Sequence, residues 1–160
     1  MKLSIIFAFI FVPVLLYAQR NRSFEVLGGL AINDGNAGYH LHVDAGREWK
    51  HFGFASYTAF MSNPSIKFSN WTILGLQMKV LGNSSGIRPY GLFDFGLFNF
   101  QTINEKVNMR TASLDLGGGV DKALKNGRGL LIDARFKWLV DYGGTRSAIR
   151  VFTLGAGIRF

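Results

Sequence analysis

The 160-residue chain has no cysteine, only three prolines and few acidic residues, ten against 18 lysines and arginines. Without cysteine there is no disulfide framework, thiolate metal site, cysteine nucleophile or lipid-modified cysteine of the lipoprotein kind. The formal net charge of +8 points towards nucleic acid only if the cations are clustered. Here they are scattered among strand-like segments and turns, so no nucleic-acid partner is expected. No Gly-rich phosphate loop is evident either. Gly117, Gly118 and Gly119 lie inside a strand-like pattern, where glycine permits curvature or a bulge. What the chain does have is 20 glycines and 15 phenylalanines, a composition of short strands and tight corners, in a length suited to one domain.

A long apolar run occurs once, from Leu3 to Tyr17 behind Met1 and Lys2, and it ends at Ala18 before the polar stretch from Gln19 to Arg22. A positive start, an apolar centre and a small residue before a polar switch form the pattern of a secretory signal peptide. Residues 1–18 are therefore expected to be removed, leaving a single domain over 19–160. No later stretch approaches the length of apolar sequence, about 18 residues or more, that a membrane-spanning helix needs.

The remaining sequence alternates. Phe24, Val26, Leu30 and Ile32 share one face of a predicted strand over 23–32, with Glu25 on the other. Over 38–47, Tyr39, Leu41, Val43 and Ala45 alternate with His40, His42 and Asp44. The segment 52–61 is apolar or small on both faces. Leu74, Leu76, Met78 and Val80 oppose Gln77 and Lys79 within 67–81, and Phe93, Phe95 and Leu97 oppose Tyr90 and Asp94 within 88–100. Residues 101–110 read as a polar loop with frayed strand ends and 121–129 as a basic, polar connection. Between them, over 111–120, Leu114, Leu116 and Val120 oppose Ser113 and Asp115. Over 130–142, Ile132, Ala134, Phe136, Trp138 and Val140 oppose Asp133, Arg135, Lys137 and Leu139. The last segment, 151–160, sets Phe152, Leu154, Ala156, Ile158 and Phe160 against Thr153, Gly155, Gly157 and Arg159.

An exported, apolar chain made of strands has one stable way to cross a bilayer. Each lipid-exposed backbone group must be hydrogen-bonded within the protein, so the strands must close into a barrel. About eight segments predict an eight-stranded antiparallel up-and-down transmembrane β-barrel, all-β, with both termini on the periplasmic side. The connections 33–37, 62–66, 101–110 and 141–147 would then face outward, and 48–51, 82–87 and 121–129 the periplasm. Closure requires the first and last strands to pair, which puts Arg159 near Glu25.

In that arrangement the apolar faces meet lipid. Tyr39, Trp71, Tyr90, Trp138 and Tyr142 are expected in interfacial girdles. The opposite faces line a lumen too narrow at eight strands for more than side chains. Glu25, His40, His42, Asp44, Gln77, Lys79, Asp94, Asp115, Asp133, Arg135, Lys137 and Arg159 are expected there as a paired polar network, because an unpaired buried charge costs several kcal/mol. His40, His42 and Asp44 are also the only metal candidates: their side chains share a face at about 6.8 Å spacing. Membership of the polar network is the simpler reading, with no cofactor and no catalytic set.

From 23 to 160 the chain resembles the small outer-membrane β-barrel superfamily of Gram-negative bacteria, of the OmpA/OmpX-like or porin-family type. The Tyr17-Ala18-Gln19 junction and the final Leu-Gly-Ala-Gly-Ile-Arg-Phe are similar to Bacteroidota members. The resemblance implies an outer-membrane location, surrounding lipid and lipopolysaccharide, a monomer, and insertion by the β-barrel assembly machinery. That machinery recognises a terminal aromatic with alternating apolar residues, here Phe152, Leu154, Ile158 and Phe160. The expected function is non-enzymatic, in envelope integrity or surface interaction. A narrow channel is the alternative, and a lipid-modifying enzyme a more distant one. The His-x-Ser spacing of the lipid A deacylases does not occur at His40, His42 or His51.

Overall fold

Alternation of period two becomes eight strands: β1 (Arg22–Asn33), β2 (Asn36–Glu48), β3 (Phe52–Asn63), β4 (Phe68–Leu81), β5 (Ile87–Thr102), β6 (Glu105–Ala123), β7 (Gly129–Val140) and β8 (Ile149–Arg159). The structure, a computed structural model, describes residues 22–33, 35–63, 68–83, 86–102, 105–124, 127–140 and 149–160. The signal-peptide segment and all of 141–147 lie outside these residues. Every strand pairs antiparallel with its sequence neighbours, and β1 pairs with β8, giving a closed barrel. The closing ladder runs from Glu25 opposite Arg159 to Ile32 opposite Phe152. Two backbone bonds extend it, from Phe160 N–H to the Phe24 carbonyl (2.8 Å) and from Phe24 N–H to the Phe160 carbonyl (3.4 Å). Closure leaves no edge strand with unpaired backbone groups.

The faces are inverted relative to a soluble protein. Leu30, Leu41, Phe54, Leu76, Leu97, Leu116, Ile132 and Leu154 are exposed on the outside, while Glu25, Asp44, Asp94, Asp115 and Asp133 are buried inside. A soluble monomer rarely shows a continuous apolar band of this extent, whereas hydrocarbon favours one.

Two expectations about connections change. Within 101–110 the described residues are strand rather than loop: β5 continues to Thr102 and β6 starts at Glu105, with Thr102 opposite Glu105. Backbone pairing does not depend on side-chain polarity, so a polar hairpin end continues the ladder. Likewise β6 runs on to Ala123, into the stretch expected to be a connection. At the β1–β2 turn, Asn33 pairs with Asn36 and Gly35 takes φ 78°, a conformation that favours glycine. The unclear alternation around β3 and β4 has a cause. The register shifts between Thr72 and Leu74 against β5, and between Tyr57 and Ala59 against β4, a bulge that changes the phase of β4.

Inside, Leu27, Leu81, Tyr90, Leu92 and Leu131 form an apolar cluster. Ala31, Ala59, Met61, Ala112, Leu139 and Val151 are buried towards the opposite end, where the β1–β2 turn lies. Charged residues share the other inward positions with uncharged polar ones such as Ser23, Asn33, Gln77, Ser113 and Thr153.

Candidate functional site

The inward charges form two sets. The first lies near the end that carries Arg22 and Phe160, and in it acid and base alternate across six strands. Glu25 on β1 pairs with Lys79 on β4, whose Nζ is also 3.9 Å from Glu48 Oε1 on β2. Glu48 Oε2 lies 2.5 Å from Arg88 Nη2 on β5. Arg88 Nη2 is 2.8 Å from Asp121 Oδ2 on β6, and Arg159 Nη2 on β8 is 2.9 Å from the same oxygen. Each partner comes from a different strand, so the chain of ion pairs ties distant staves of the barrel together.

The second set centres on Arg135, which is 3% exposed. Its Nη1 lies 2.8 Å from Asp94 Oδ2, its Nη2 2.6 Å from Asp133 Oδ2, and its Nε donates to the same Asp133 oxygen at 3.0 Å. Nη1 is also 3.2 Å from His42 Nδ1. The His42 ring stacks on Tyr57 at 4.7 Å between centroids. Beside it, Lys137 Nζ is 2.7 Å from Asp115 Oδ2. Tyr90 donates to Asp133 at 3.4 Å, and Lys79 Nζ lies 5.0 Å from the Tyr90 ring centroid, so this tyrosine joins the two sets.

The inward acids outnumber the inward bases. Glu25, Asp44, Glu48, Asp94, Asp115, Asp121 and Asp133 face Lys79, Arg88, Arg135, Lys137 and Arg159. Glu25 is the register partner of Asp44, and Asp94 of Asp115, so carboxylates meet across two ladders. Opposed like charges are destabilising unless cations intervene. Lys79 pairs with Glu25, Arg135 with Asp94 and Lys137 with Asp115.

All twelve residues expected in the lumen point inward, but some partners differ from expectation. Arg159 stands opposite Glu25 in the backbone register, yet its guanidinium pairs with Asp121 while Glu25 pairs with Lys79. Barrel curvature aims inward side chains at the axis, so strands beyond the nearest compete for partners: Lys137–Asp115 and Arg88–Asp121 remain register neighbours, while Arg159 and Glu25 reach further. Gln77 donates only a long bond, 3.5 Å, to Asp94. His40, His42 and Asp44 do not converge. His40 Nε2 reaches the Leu154 carbonyl at 3.4 Å, through space left open by Gly155, while His42 Nε2 is 3.5 Å from Asp44 Oδ2. Among the described residues no group of three His or carboxylate side chains has the geometry of a metal site.

Tyr90 is buried and belongs to the lumen, not to a girdle. The side chain of Trp71 and the whole of Tyr142 lie outside what is described. Three members of the ion-pair chain were not among the expected lumen residues: Glu48 and Asp121, which fell beyond the strand limits read from sequence, and Arg88, the first residue of the predicted strand 88–100. The signal was present, because each falls two residues beyond an inward position, after Gly46, before Tyr90 and after Gly119.

No protein-family model and no curated protein matches the chain. Solved structures do. Neisserial surface protein A superposes with a TM-score of 0.67 at 18% identity, over 86% of this chain and 94% of that one. The N-terminal β-barrel domain of Pseudomonas aeruginosa OprF gives 0.59 at 15%, over 89% and 98%. The outer membrane enzyme PagL gives 0.60 at 10%, over 86% and 98%. At such identities the likeness lies in the fold: this chain has the closed eight-stranded barrel architecture of small outer-membrane proteins.

Proposed function

We propose that the chain is an integral, monomeric, non-enzymatic protein of the bacterial outer membrane, of the OmpA/OmpX-like type, serving envelope integrity or surface interaction. The observation that carries this reading is the ion-paired lumen. Arg135 is held by Asp94 and Asp133, and Lys137 by Asp115, all of them buried. Towards the β1–β2 turn end, Met61, Leu139 and Val151 offer no polar surface to a passing ion. Solute would have to displace these paired charges.

In this reading both termini, which an even number of strands puts on one side, face the periplasm, the apolar band meets lipid and lipopolysaccharide, and the β1–β2 turn is at the cell surface. A lipid-modifying enzyme would need its histidine at the lipid face. His40 and His42 point inward instead, and His51 lies in the β2–β3 connection.

Two measurements test the reading. Membrane fractions run unboiled should show the protein migrating differently from the boiled sample, and absence of a shift would overturn the barrel in the membrane. In planar bilayers the purified protein should give no stable open steps. Reproducible steps would replace the closed lumen with the narrow-channel alternative.

A further inference from the structure

The chain carries a formal charge of +8, yet its lumen holds more acids than bases, so its outer surface must be more basic than the total suggests. The excess is uneven. At the end that carries Arg22 and Phe160, Arg22, Lys50, Lys122 and Arg128 are exposed. The carboxylates at this end, Glu25, Glu48 and Asp121, all turn inward to Lys79, Arg88 and Arg159. Among the described residues no aspartate or glutamate side chain points outward at this rim.

The cations also form an arc. Lys122 and Arg128 flank the β6–β7 turn, and the Arg128 guanidinium lies 5.7 Å from the Phe160 ring centroid. Phe160 neighbours Phe24 at 6.1 Å, Arg22 lies two residues before Phe24, and Lys50 follows in the β2–β3 connection. In the β4–β5 connection the described residues Gly82, Asn83 and Gly86 are uncharged. Just inside the arc, Phe24, Trp49, Phe52, Phe54 and Phe160 are exposed. Moving outward along the barrel, apolar band, aromatic belt and cations follow the order of acyl chain, interface and phosphate in a leaflet.

We infer that the arc formed by Arg22, Lys50, Lys122 and Arg128 is a binding surface for the headgroups of anionic phospholipids in the periplasmic leaflet. This rests on the outer-membrane reading above, which supplies the leaflet. Because Glu25, Glu48 and Asp121 turn inward to Lys79, Arg88 and Arg159, lipid phosphates can gather against the four outward cations of the arc. The arc would gather anionic lipid on the side where β8 closes against β1, and not on the β4–β5 side. The attraction is electrostatic and exposed, so salt screens it.

Trp49 reports on this rim. A full-length barrel carrying Trp71→Phe and Trp138→Phe keeps it as the only tryptophan. That protein would be reconstituted in phosphatidylcholine vesicles containing either brominated phosphatidylglycerol or brominated phosphatidylcholine at equal bromine content. At low salt the anionic lipid should quench Trp49 several-fold more effectively. The preference should vanish in raised salt and when Arg22→Gln, Lys50→Gln, Lys122→Gln and Arg128→Gln are combined, with the gel shift confirming that this variant folds. Equal quenching by the two lipids, or a preference that survives the four substitutions, would overturn the lipid surface and leave the barrel standing. If neither lipid quenched Trp49, the membrane-barrel reading would fall with it.

Discussion

Glu25 and Asp44 face each other across β1 and β2 with both carboxylates turned into the barrel. On an exposed sheet such a pair would be mildly unfavourable; inside a barrel it is tolerable only with a cation at hand. Lys79, arriving from β4, pairs with Glu25 and lies within 4 Å of Glu48, at 3.9 Å. Replacing it with methionine keeps the bulk and removes the charge, leaving Glu25 and Glu48 without that partner. Lys79→Met should cost about 3–5 kcal/mol, the usual penalty for breaking a buried pair from one side. Lys79→Met combined with Glu25→Gln should recover much of that loss. Urea unfolding of the reconstituted barrel measures both, and a double variant no better than the single one would contradict the pairing.

Arg135 depends on shape as much as charge. Its guanidinium contacts Asp94 through one terminal nitrogen and Asp133 through the other, with Nε adding a third bond. Lysine would keep the charge but has no planar fork to span both carboxylates. Arg135→Lys should therefore cost about 1.5–3 kcal/mol for each charge-assisted bond lost, and Arg135→Leu more than that. The unfolding midpoints should fall in the order arginine, lysine, leucine. Equal stability for arginine and lysine would mean that charge alone holds the lumen.

The inside–outside division was legible in the sequence because a bilayer and a polar lumen select opposite residues at alternate positions. Leu41 and His42, or Phe93 and Asp94, declare their faces without any structure. The partners of the charges were not legible. Arg159 and Glu25 are opposite in register, but curvature sends their side chains to Asp121 and Lys79, and sequence alternation carries no information on contacts across the lumen. The bulge in β4 was hidden for a related reason. One inserted residue reverses the phase of alternation and reads as loss of pattern, the irregularity seen before Leu74. Glu48 and Asp121 were missed differently, because turn-like neighbours ended the predicted strands too soon, and Arg88 because it stood at the very start of its strand.

Gly75 marks where the lumen is tightest against β4. It is the register partner of Tyr57, and a Cβ placed on it would overlap the tyrosine ring. Tyr57 is itself held by the stacked His42 ring and buried, so it has little room to yield. Gly75→Ala should cost about 1–3 kcal/mol through overpacking. Tyr57→Ala should cost about 3–5 kcal/mol by opening a cavity. The double variant should cost clearly less than the sum, because the new methyl enters the space the ring has left. Strict additivity in a denaturation double-mutant cycle would show that the ring moves aside freely.

Phe160 separates stability from assembly. Its backbone completes the β1–β8 ladder with Phe24, while its exposed side chain touches only the Phe24 ring and the Arg128 guanidinium among the interactions described. Phe160→Ala keeps the backbone bonds and removes an aromatic contact worth about 0.5–1.5 kcal/mol, so the refolded barrel should unfold at nearly the same urea concentration. In cells the same variant should accumulate poorly in the outer membrane if the terminal aromatic is what the assembly machinery reads. Phe24→Ala is the matched control, since it removes the same ring pair from the other strand and leaves the final residue intact. The expected pattern is two variants of similar stability in vitro, of which only Phe160→Ala loses the heat-modifiable band in membrane fractions. Equal loss from both would assign the effect to the ring contact, and no loss from either would place the assembly signal elsewhere in β8.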